Sequence, residues 1–471
     1  MKIKKKKDER NIVFFAKIFF IIIAVLSLAS CKKYLDLKPN ASLYVASSLR
    51  DCQALLDDYS VMNLAYPVDG EASSDNYYLT DASWSSLPDV EAQETYIWAL
   101  QAQHRTSQWS APYKAVFNSN LVLQLLEKIS PSSGSDYNAI KGAALFFRGY
   151  SFFNIASLFC KPFDAASAQQ DPGIPIRQST DVEVEDDRGT VQQTYNQIIQ
   201  DLKTAFELLP ETSPIKSRPT KTAALAALAR VYLAMGDYKN AGEMADACLK
   251  KYNILLDFKL INSSAPFPFS RFNTEVIFSA SMPPSSSLTQ NNAKILKSLY
   301  DSYDVNDIRK TAFFRANTGI NIGTFAFKGS YDGSSNLFCG FATDEVYLIR
   351  AECYARDGKI TEALKDLNDL LITRWKDQTI NGITTTTYTK YVTSSADVAL
   401  GFVLNERRKE LIFRGIRWTD LRRLNRESQF SVILNRSVNG NSYTLPPNDL
   451  KYTLLIPRDV ISNSSISQNP R

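Results

Sequence analysis

Residues 229–241 read ARVYLAMGDYKNA, and residues 351–363 read AECYARDGKITEA. Both stretches fit the pattern Ala-x2-Tyr-x3-Gly-x-[Tyr/Ile]-x2-Ala. The glycine falls between two amphipathic segments, where a turn between helices needs a residue that is free to take a positive φ. The alanines are small enough to let the two helices approach each other closely. The pattern therefore predicts two helix–turn–helix pairs.

The spacing resembles the tetratricopeptide repeat, which has tyrosine, glycine and alanine at such offsets. Because the two copies begin about 120 residues apart, we expect long insertions between them and no continuous solenoid. The predicted fold is mainly α, a tetratricopeptide-like scaffold of helical pairs with few short strands. The scaffold is expected at about 110–252 and 342–425, aromatic-rich loop insertions at about 40–110 and 253–341, and a C-terminal segment at 426–471.

The N-terminus has the features of an export signal. A lysine-rich opening, MKIKKKKDER, precedes an apolar run over 18–29, which is shorter than the about 20 residues that span a bilayer. The tetrapeptide LASC at 28–31 resembles a bacterial lipobox, in which the cysteine is acylated. We therefore expect a lipoprotein signal peptide at 1–30, lipidation at Cys31 and a single domain over 31–471. The alternative is an ordinary signal peptide in which Cys31 is incidental.

Cleavage of the signal peptide would change the charge of the protein. The whole chain has 54 basic and 49 acidic residues, a net charge of +5. Residues 1–30 hold seven of the basic and two of the acidic residues, which leaves 47 of each in the remainder. Nucleic-acid binding needs a clustered positive surface. We therefore expect no nucleic-acid partner.

The sequence carries few signals for metal binding or catalysis. The cysteines after Cys31 are far apart and form no CxxC pair, so we expect neither a metal site nor a cofactor. Cys248 and Cys353 fall within helical patterns and are predicted to be core residues. His104 is the only histidine, and we expect it at the surface. The sequence contains no Walker loop, dinucleotide-binding glycine motif or HExxH motif.

Residues 403–425, VLNERRKELIFRGIRWTDLRRLN, carry a dense motif of charged residues. Glu406, Glu410 and Arg414 are spaced i, i+4, which predicts ion pairs along one helix face. Trp418 is expected to pack against a neighbouring helix. Paired carboxylates can also indicate a glycosidase, but the arginines nearby should keep both ionised, whereas a general acid needs a raised pKa. The residues themselves favour a structural role.

The same segment resembles the SusD/RagB family of outer-membrane lipoproteins, which carries Glu-Arg-Arg-x-Glu-Leu followed by Gly, Arg-Trp and Asp-Leu-Arg-Arg. The matching positions are Glu406, Arg407, Arg408, Glu410, Leu411, Gly415, Arg417, Trp418, Asp420, Leu421, Arg422 and Arg423. CKKYLDLKP at 31–39, SSDNYYL at 73–79, DEVYLIRAECYARDG at 344–358 and YTLLIPRDV at 452–460 extend the resemblance along the chain. Arg414 departs from it, because the family usually has an acidic residue there.

The resemblance implies a non-catalytic nutrient-binding lipoprotein of Bacteroidota-type bacteria. Such a protein would bind oligosaccharides or polysaccharide and deliver them to a SusC-like TonB-dependent β-barrel transporter. It would be held in the outer membrane by its lipid anchor, with exposure at the cell surface expected. The helical surface, rather than the aromatic loops, is expected to contact the barrel. RagB-like capture of peptides and glycoside hydrolysis are the alternatives.

The aromatic-rich insertions are the expected place for ligand contacts, since loops on a rigid scaffold often carry binding residues. Aromatic rings stack on the C–H face of a sugar, while aspartate and asparagine bond its hydroxyl groups. The expected ligand-binding residues are Asp75, Asn76, Tyr77, Tyr78, Trp84, Trp98 and Tyr331.

Overall fold

Helices dominate the structure, as the sequence predicts. The structure is a computed structural model that describes residues 48–129, 134–181, 183 and 187–471. The expected signal peptide and Cys31 lie outside these ranges. The described helices are α1 (Leu49–Leu56), α2 (Tyr59–Met62), α3 (Asp69–Ser73), α4 (Asp81–Ser85), α5 (Val90–Tyr96), α6 (Ser107–Lys128), α7 (Ser135–Phe159), α8 (Val191–Leu208), α9 (Lys221–Met235), α10 (Tyr238–Lys251), α11 (Lys297–Asp301), α12 (Arg309–Ala312), α13 (Thr343–Arg356), α14 (Ile360–Leu371), α15 (Ala396–Glu410), α16 (Arg417–Leu424) and α17 (Arg458–Ser462).

The strands are short and form antiparallel pairs only, within the described part of the chain. The pairs are β1 (Tyr77–Tyr78) with β4 (Lys294–Ile295), β2 (Val276–Phe278) with β8 (Phe341–Ala342), β3 (Ser281–Met282) with β7 (Leu337–Phe338), β5 (Phe314–Ala316) with β6 (Phe325–Phe327), β9 (Asp377–Ile380) with β10 (Ile383–Thr386), and β11 (Leu434–Val438) with β12 (Asn441–Leu445). Most of them lie in the insertion between α10 and α13, so the strands belong to the loops and not to the scaffold.

The two repeat glycines end helices in the way that the pattern predicts. Gly236 follows α9 with φ of 77°, and Gly358 follows α13 with φ of 73°. The amide after each glycine donates to the carbonyl of the repeat tyrosine, Tyr232 or Tyr354, at 2.9 Å. This left-handed turn satisfies helix-end carbonyls and would strain a residue with a side chain. The four alanines of the pattern, Ala229, Ala241, Ala351 and Ala363, are all buried between helices.

The long helices pack against one another in one unbroken order. From α6 to α10 each helix contacts the next, α10 contacts α13 directly, and α13 contacts both α14 and α15. The expectation that the repeats do not form a continuous stack is therefore wrong. The residues between α10 and α13 leave the stack and return to it at adjacent points, so the two repeats are neighbours despite their separation in sequence.

Apolar side chains fill the interior along this stack. One large cluster follows α6 to α10 and the insertion, and a smaller one lies between α13, α14 and α15. Cys248 and Cys353 are buried in the large cluster, as predicted, and the five cysteines of the described part are all free thiols. Among the described helices, none is long and apolar enough to cross a membrane.

Candidate functional site

Arg309, on α12, is the centre of a group of buried charges. Its guanidinium donates to Asp307 at 2.7 Å, to Glu406 at 2.7 Å and to Glu410 at 2.9 Å. The whole Arg309 side chain is buried, so three carboxylates face one cation away from water. Charges in such a place are tolerated only when they are paired and hydrogen-bonded.

Arg374, at the end of the turn after α14, extends this group. Its guanidinium donates to Glu410 at 2.7 Å and to Glu275 at 2.8 Å, and Lys409 donates to Glu406 at 2.8 Å. We call these residues the buried charge network: Glu275, Asp307, Arg309, Arg374, Glu406, Lys409 and Glu410. The network joins the insertion at 253–341 to α15.

Arg414 does not belong to the row of helical ion pairs that the i, i+4 spacing predicts. The helix α15 ends at Glu410, and Phe413 and Gly415 have positive φ values of 56° and 71°. The Arg414 guanidinium instead pairs with Asp344 on α13 at 2.7 Å. The predicted helical pairing of Arg414 is wrong because the helix stops before the chain reaches this residue.

Glu406 and Glu410 are ionised in the network, as expected from the nearby arginines. Burial alone favours the neutral form, but Arg309 and the neighbouring cations outweigh it and hold the pKa of both carboxyls below the ordinary value. Both side chains are shielded from solvent. A glycosidase needs a general acid with a raised pKa in an accessible site, so this pair of carboxylates does not fit that chemistry.

Glu275 has the opposite shift. Burial raises its pKa, Arg374 opposes the shift, Asp344 and Glu410 add to it, and the pKa reaches about 7. The carboxylates of Glu275, Asp344 and Glu410 lie within 4.8 Å of one another, which is close enough to share a cation. The guanidiniums of Arg374 and Arg414 already pair with this cluster. The cluster therefore does not need a metal ion to balance its charge.

Two arginines of the motif hold the loop that carries the first predicted ligand contacts. Arg417 donates to the Asp75 carboxylate at 2.6 and 2.9 Å. Arg408 donates to the Asp75 carbonyl at 2.9 Å and to the Asn76 side chain at 3.2 Å. Burial would raise the pKa of Asp75, but the two guanidiniums hold it well below its usual range. Asp75 and Asn76 thus anchor the loop, and Asn76 is buried.

Tyr77 and Trp98 lie in the interior around Arg436. The Tyr77 hydroxyl donates to the Ala72 carbonyl at 2.6 Å, and the Trp98 indole donates to the Ser73 carbonyl at 3.0 Å. The Arg436 guanidinium lies 5.2 Å from the Tyr77 ring centroid and 4.4 Å from that of Trp98. Both aromatic side chains are buried. This position does not agree with the prediction that they contact a ligand.

Tyr331 is also an interior residue. Its side chain is 0% exposed, its hydroxyl donates to Glu275 at 2.6 Å, and the Arg414 guanidinium lies 3.9 Å from its ring centroid. The predicted ligand contact does not agree with this burial. Tyr331 instead contacts two buried charged residues, Glu275 through its hydroxyl group and Arg414 through the face of its ring.

Tyr78 and Trp84 are the predicted aromatic contacts that remain partly exposed. Tyr78 lies on β1 opposite Lys294 of β4. The Trp84 indole donates to the Gln93 carbonyl at 3.2 Å, and the Gln93 amide donates back to the Trp84 carbonyl at 3.3 Å. These bonds fix the orientation of the indole while leaving part of its ring in solvent.

A second aromatic pair, not singled out from the sequence, joins helix α11 to strand β6. Tyr300 and Phe325 stack with centroids 3.5 Å apart, both partly exposed, and the Lys310 ammonium lies 4.8 Å from the Tyr300 centroid. Strand β4 contacts both β1 and β6, which places Tyr78 and Phe325 on one group of strands. We use the name aromatic loop surface for four partly exposed aromatic residues of the two insertions: Tyr78, Trp84, Tyr300 and Phe325. The aromatic-rich composition of these loops was a signal, but it does not reveal which rings stay accessible.

His104 is buried rather than at the surface. Its Nδ1 atom lies 2.8 Å from the Asp69 carboxylate and 3.3 Å from the Thr95 hydroxyl. The predicted surface position is wrong because the polar partners come from α3 and α5, which cover the imidazole. Trp418, by contrast, is buried against α3, where its Cβ and ring meet Gly70, in agreement with the prediction of helix packing.

Comparison with protein families gives two matches in this chain. A family model described as starch-binding and associating with the outer membrane matches residues 33–233. The SusD family model matches residues 274–469. A curated relative, SusD-like protein P2 of Formosa agariphila, is 29% identical over 138 residues, which cover 29% of this chain and 25% of the relative. The match thus spans about a quarter of the relative's length.

Solved structures share the fold of this chain over most of its length. A SusD superfamily protein of Bacteroides thetaiotaomicron is similar with a TM-score of 0.70 and 23% identity, over 90% of this chain and 100% of the other. A SusD-like carbohydrate binding protein of Bacteroides vulgatus is similar with a TM-score of 0.63 and 19% identity, over 87% of this chain and 94% of the other. At this level of identity the similarity establishes the common fold.

Proposed function

This chain belongs to the SusD family, and we propose that it is a non-catalytic, carbohydrate-binding lipoprotein of the outer membrane that passes oligosaccharides to a SusC-like TonB-dependent transporter. The observation that carries the proposal is the pair of family matches, which together span most of the chain. The partly exposed rings of the aromatic loop surface supply a chemically suitable binding face.

The aromatic loop surface suits the chemistry of a sugar. Tyrosine and tryptophan rings offer an apolar face for the C–H groups of a pyranose and a polar atom at the edge for its hydroxyl groups. Tyr78 follows directly on the segment that Arg408 and Arg417 hold. Since binding affinity depends on how little must be ordered on association, a loop fixed by buried ion pairs favours ligand retention.

The experiment uses the mature protein, a panel of neutral glycans and peptides, and the variants Trp84→Ala and Tyr78→Ala. Each variant removes one aromatic ring, and an aromatic contact contributes about 0.5–1.5 kcal/mol of binding free energy in addition to the burial of apolar area. We therefore expect the affinity for glycans to fall by up to about tenfold. Affinity electrophoresis and calorimetry would measure this loss. Phe117→Ala, which removes a partly exposed ring from α6, is the matched control and should bind normally.

Three outcomes would contradict the proposal. Unchanged electrophoretic retardation by glycans in both variants would show that Trp84 and Tyr78 do not contact the ligand. Binding of peptides but not glycans would assign a RagB-like role. Release of reducing sugar from a bound glycan would assign a hydrolase.

Cys31 is the proposed lipid anchor. We expect mass spectrometry of the mature N-terminus to find an acylated Cys31 and no residues before it. More than one acyl chain is expected, because a single chain holds a protein at a membrane only marginally. An unmodified thiol at Cys31 would contradict the proposed lipid anchor.

The helical stack is the proposed contact surface for the transporter. Removing all of 253–341 would delete Glu275, Asp307 and Arg309 from the buried charge network, so it would test folding instead of docking. Removing only the turn at 318–322 spares the network. We expect the transporter to copurify with this variant, and its loss from a folded variant would assign the contact to the loops.

A further inference from the structure

A cleft of about 290 Å³ lies in the insertion between α10 and α13. Its walls are the segment 284–291, which leads into β4, and the residues at the end of β6 and the start of β7. Its volume is close to the lower limit of the range typical of small-molecule sites, about 300–1,000 Å³. We call it the amide cleft. None of the residues that line it belongs to the aromatic loop surface or to the buried charge network.

Three apolar side chains line the amide cleft without exposing much surface to it. Leu288 and Leu337 are 5% and 4% exposed and belong to the large apolar cluster. Phe327 is also buried, because its ring packs on that of Phe413 with centroids 4.9 Å apart. The cleft therefore offers no open aromatic face on which a sugar ring could stack. The small apolar patch that remains suits a group of the size of a methyl.

Polar side chains at the mouth of the amide cleft are accessible. Gln290 is partly exposed, and Asn291 and Ser335 are exposed. Within the described part of the chain, the side chains of these three residues form no hydrogen bond. Each side-chain amide supplies donors and an acceptor, and the hydroxyl group supplies one donor and two acceptor positions. These groups can therefore turn to a ligand without giving up a bond inside the protein.

The charged groups around the amide cleft are hydrogen-bonded by the protein. No acidic residue lines the cleft, and its one cation, Lys328, donates to two backbone carbonyls of residues outside it at 2.8 and 2.9 Å. Lys294, which does not line the cleft, likewise donates to two carbonyls at 2.6 and 3.2 Å. Asp332, which accepts from the Ser334 hydroxyl, pairs with Arg271 at 3.2 Å. The groups left for a ligand are neutral, so the cleft favours a neutral ligand.

The position of the amide cleft relates it to the aromatic loop surface. Its wall continues directly into β4, which pairs with β1, the strand that carries Tyr78. Its other wall begins at the end of β6, the strand that carries Phe325. The cleft thus adjoins the strands on which two of the accessible rings lie.

We propose that the amide cleft binds the acetamido group of an N-acetylated amino sugar. The methyl group occupies the patch left by Leu288 and Leu337. The side-chain amides of Gln290 and Asn291 donate to the acetamido carbonyl, and the Ser335 hydroxyl accepts from the acetamido N–H. An acetamido group is neutral and joins a small apolar part to one donor and one acceptor, which matches this lining. The inference rests on the proposed function, since it names the class of sugar within the glycans that the protein would bind.

The test uses two neutral disaccharides, N,N′-diacetylchitobiose and cellobiose. They differ only in that an acetamido group replaces one hydroxyl group on each ring. Calorimetry with the mature protein should show at least tenfold tighter binding of the acetylated disaccharide, because one methyl group in an apolar pocket changes affinity by about 10–200-fold. Equal affinity for the two disaccharides would overturn the proposal.

Two variants of the mouth test the residues. The double variant Gln290→Ala and Asn291→Ala removes both amides but keeps the backbone carbonyls, and it should lower the preference for the acetylated disaccharide at least fivefold. Ser335→Trp places a large ring at the mouth and should abolish the preference. The matched control is the double variant Gln169→Ala and Gln170→Ala, which removes two exposed amides from the loop after α7.

The control should keep the full preference. All of these substitutions are at positions that reach solvent, so the variants should fold normally, which circular dichroism would verify. A preference that stays unchanged in both variants of the mouth would overturn the proposal.

The experiment separates the amide cleft from the proposed function. The preference between the two disaccharides reports on the cleft, whereas the affinity for both together reports on glycan binding. Trp84→Ala should weaken both disaccharides equally and keep the preference. Glycan binding that depends on Trp84 but shows no preference would reject the cleft and support the family role. Binding of free N-acetylglucosamine that is lost in Ser335→Trp, with no binding of any longer glycan, would support the cleft and contradict the proposed function.

Discussion

The buried charge network and the aromatic loop surface differ in what their residues do. Arg309 and Arg374 are shielded from water and held by several carboxylates, while Tyr78 and Trp84 are partly exposed. The charged residues, which chemistry would lead one to seek at a surface, determine how the insertion sits on the scaffold. The segment before Tyr78 is held by other charges, those of Arg408 and Arg417. Substitutions in the network should therefore change stability, and substitutions on the surface should change binding.

The largest expected effect comes from Glu410→Ala. This change leaves Arg309 and Arg374 buried without a shared carboxylate, and losing one partner of a buried pair costs about 3–5 kcal/mol of unfolding free energy. Urea denaturation would measure the loss. The control is Lys365→Ala, which breaks an i, i+4 pair with Asp369 on the exposed face of α14 and should cost at most about 0.5 kcal/mol. Equal losses in the two variants would contradict the distinction between the regions.

A smaller effect is expected from Glu71→Gln, and it depends on pH. Burial raises the pKa of Glu71 to about 7, although Gly415 and Ser74 donate to it. The unfolded chain loses this proton near the ordinary value of 4.5, so the folded protein holds more protons between these two values and its stability falls as pH rises through them.

Glutamine cannot ionise and removes this contribution. From pH 5 to pH 8 the variant should lose about 1–3 kcal/mol less stability than the unaltered protein. Urea midpoints across this range would show it, and parallel curves for the two proteins would reject the raised pKa. Glu275 titrates in both proteins and does not affect the difference.

The smallest of the three effects is that of Tyr331→Phe, which sharpens the boundary between the regions. It removes the hydrogen bond to Glu275 and should cost about 1–2 kcal/mol of stability. Because Tyr331 is an interior residue, glycan binding should not change. A loss of glycan affinity with unchanged stability would return Tyr331 to the binding site.

The scaffold could be predicted from the sequence because its signals are local. Gly236 and Gly358 each lie within a few residues of the tyrosine whose carbonyl they help to satisfy, and the alanines that meet between helices keep a fixed spacing. The contact of α10 with α13 could not be predicted, since nothing in either helix shows that the chain between them loops out and returns.

The candidate site was less predictable because burial depends on distant partners. Tyr331 is buried by Glu275 and Arg414, and His104 by Asp69, and each partner lies at least 35 residues away in sequence. Composition identified the loops as aromatic-rich, but it could not separate Trp84 from Trp98. Trp98 is enclosed by Arg436, whose guanidinium lies 4.4 Å from its ring centroid, and its indole donates to the Ser73 carbonyl.

The return of the insertion to the point where it left the stack has a consequence for how such a protein can diversify. Closing a longer loop costs little, about 0.6 kcal/mol for each doubling of length, so the stack can accept insertions of different lengths. Glu275, Asp307 and Arg309 must stay, because they are part of the interior. The turn at 318–322 contains no residue of the buried charge network, and Ile320 in this turn is 97% exposed. A different loop inserted at this turn would change which ligand is bound, while Glu275, Asp307 and Arg309 keep the rest of the insertion in place.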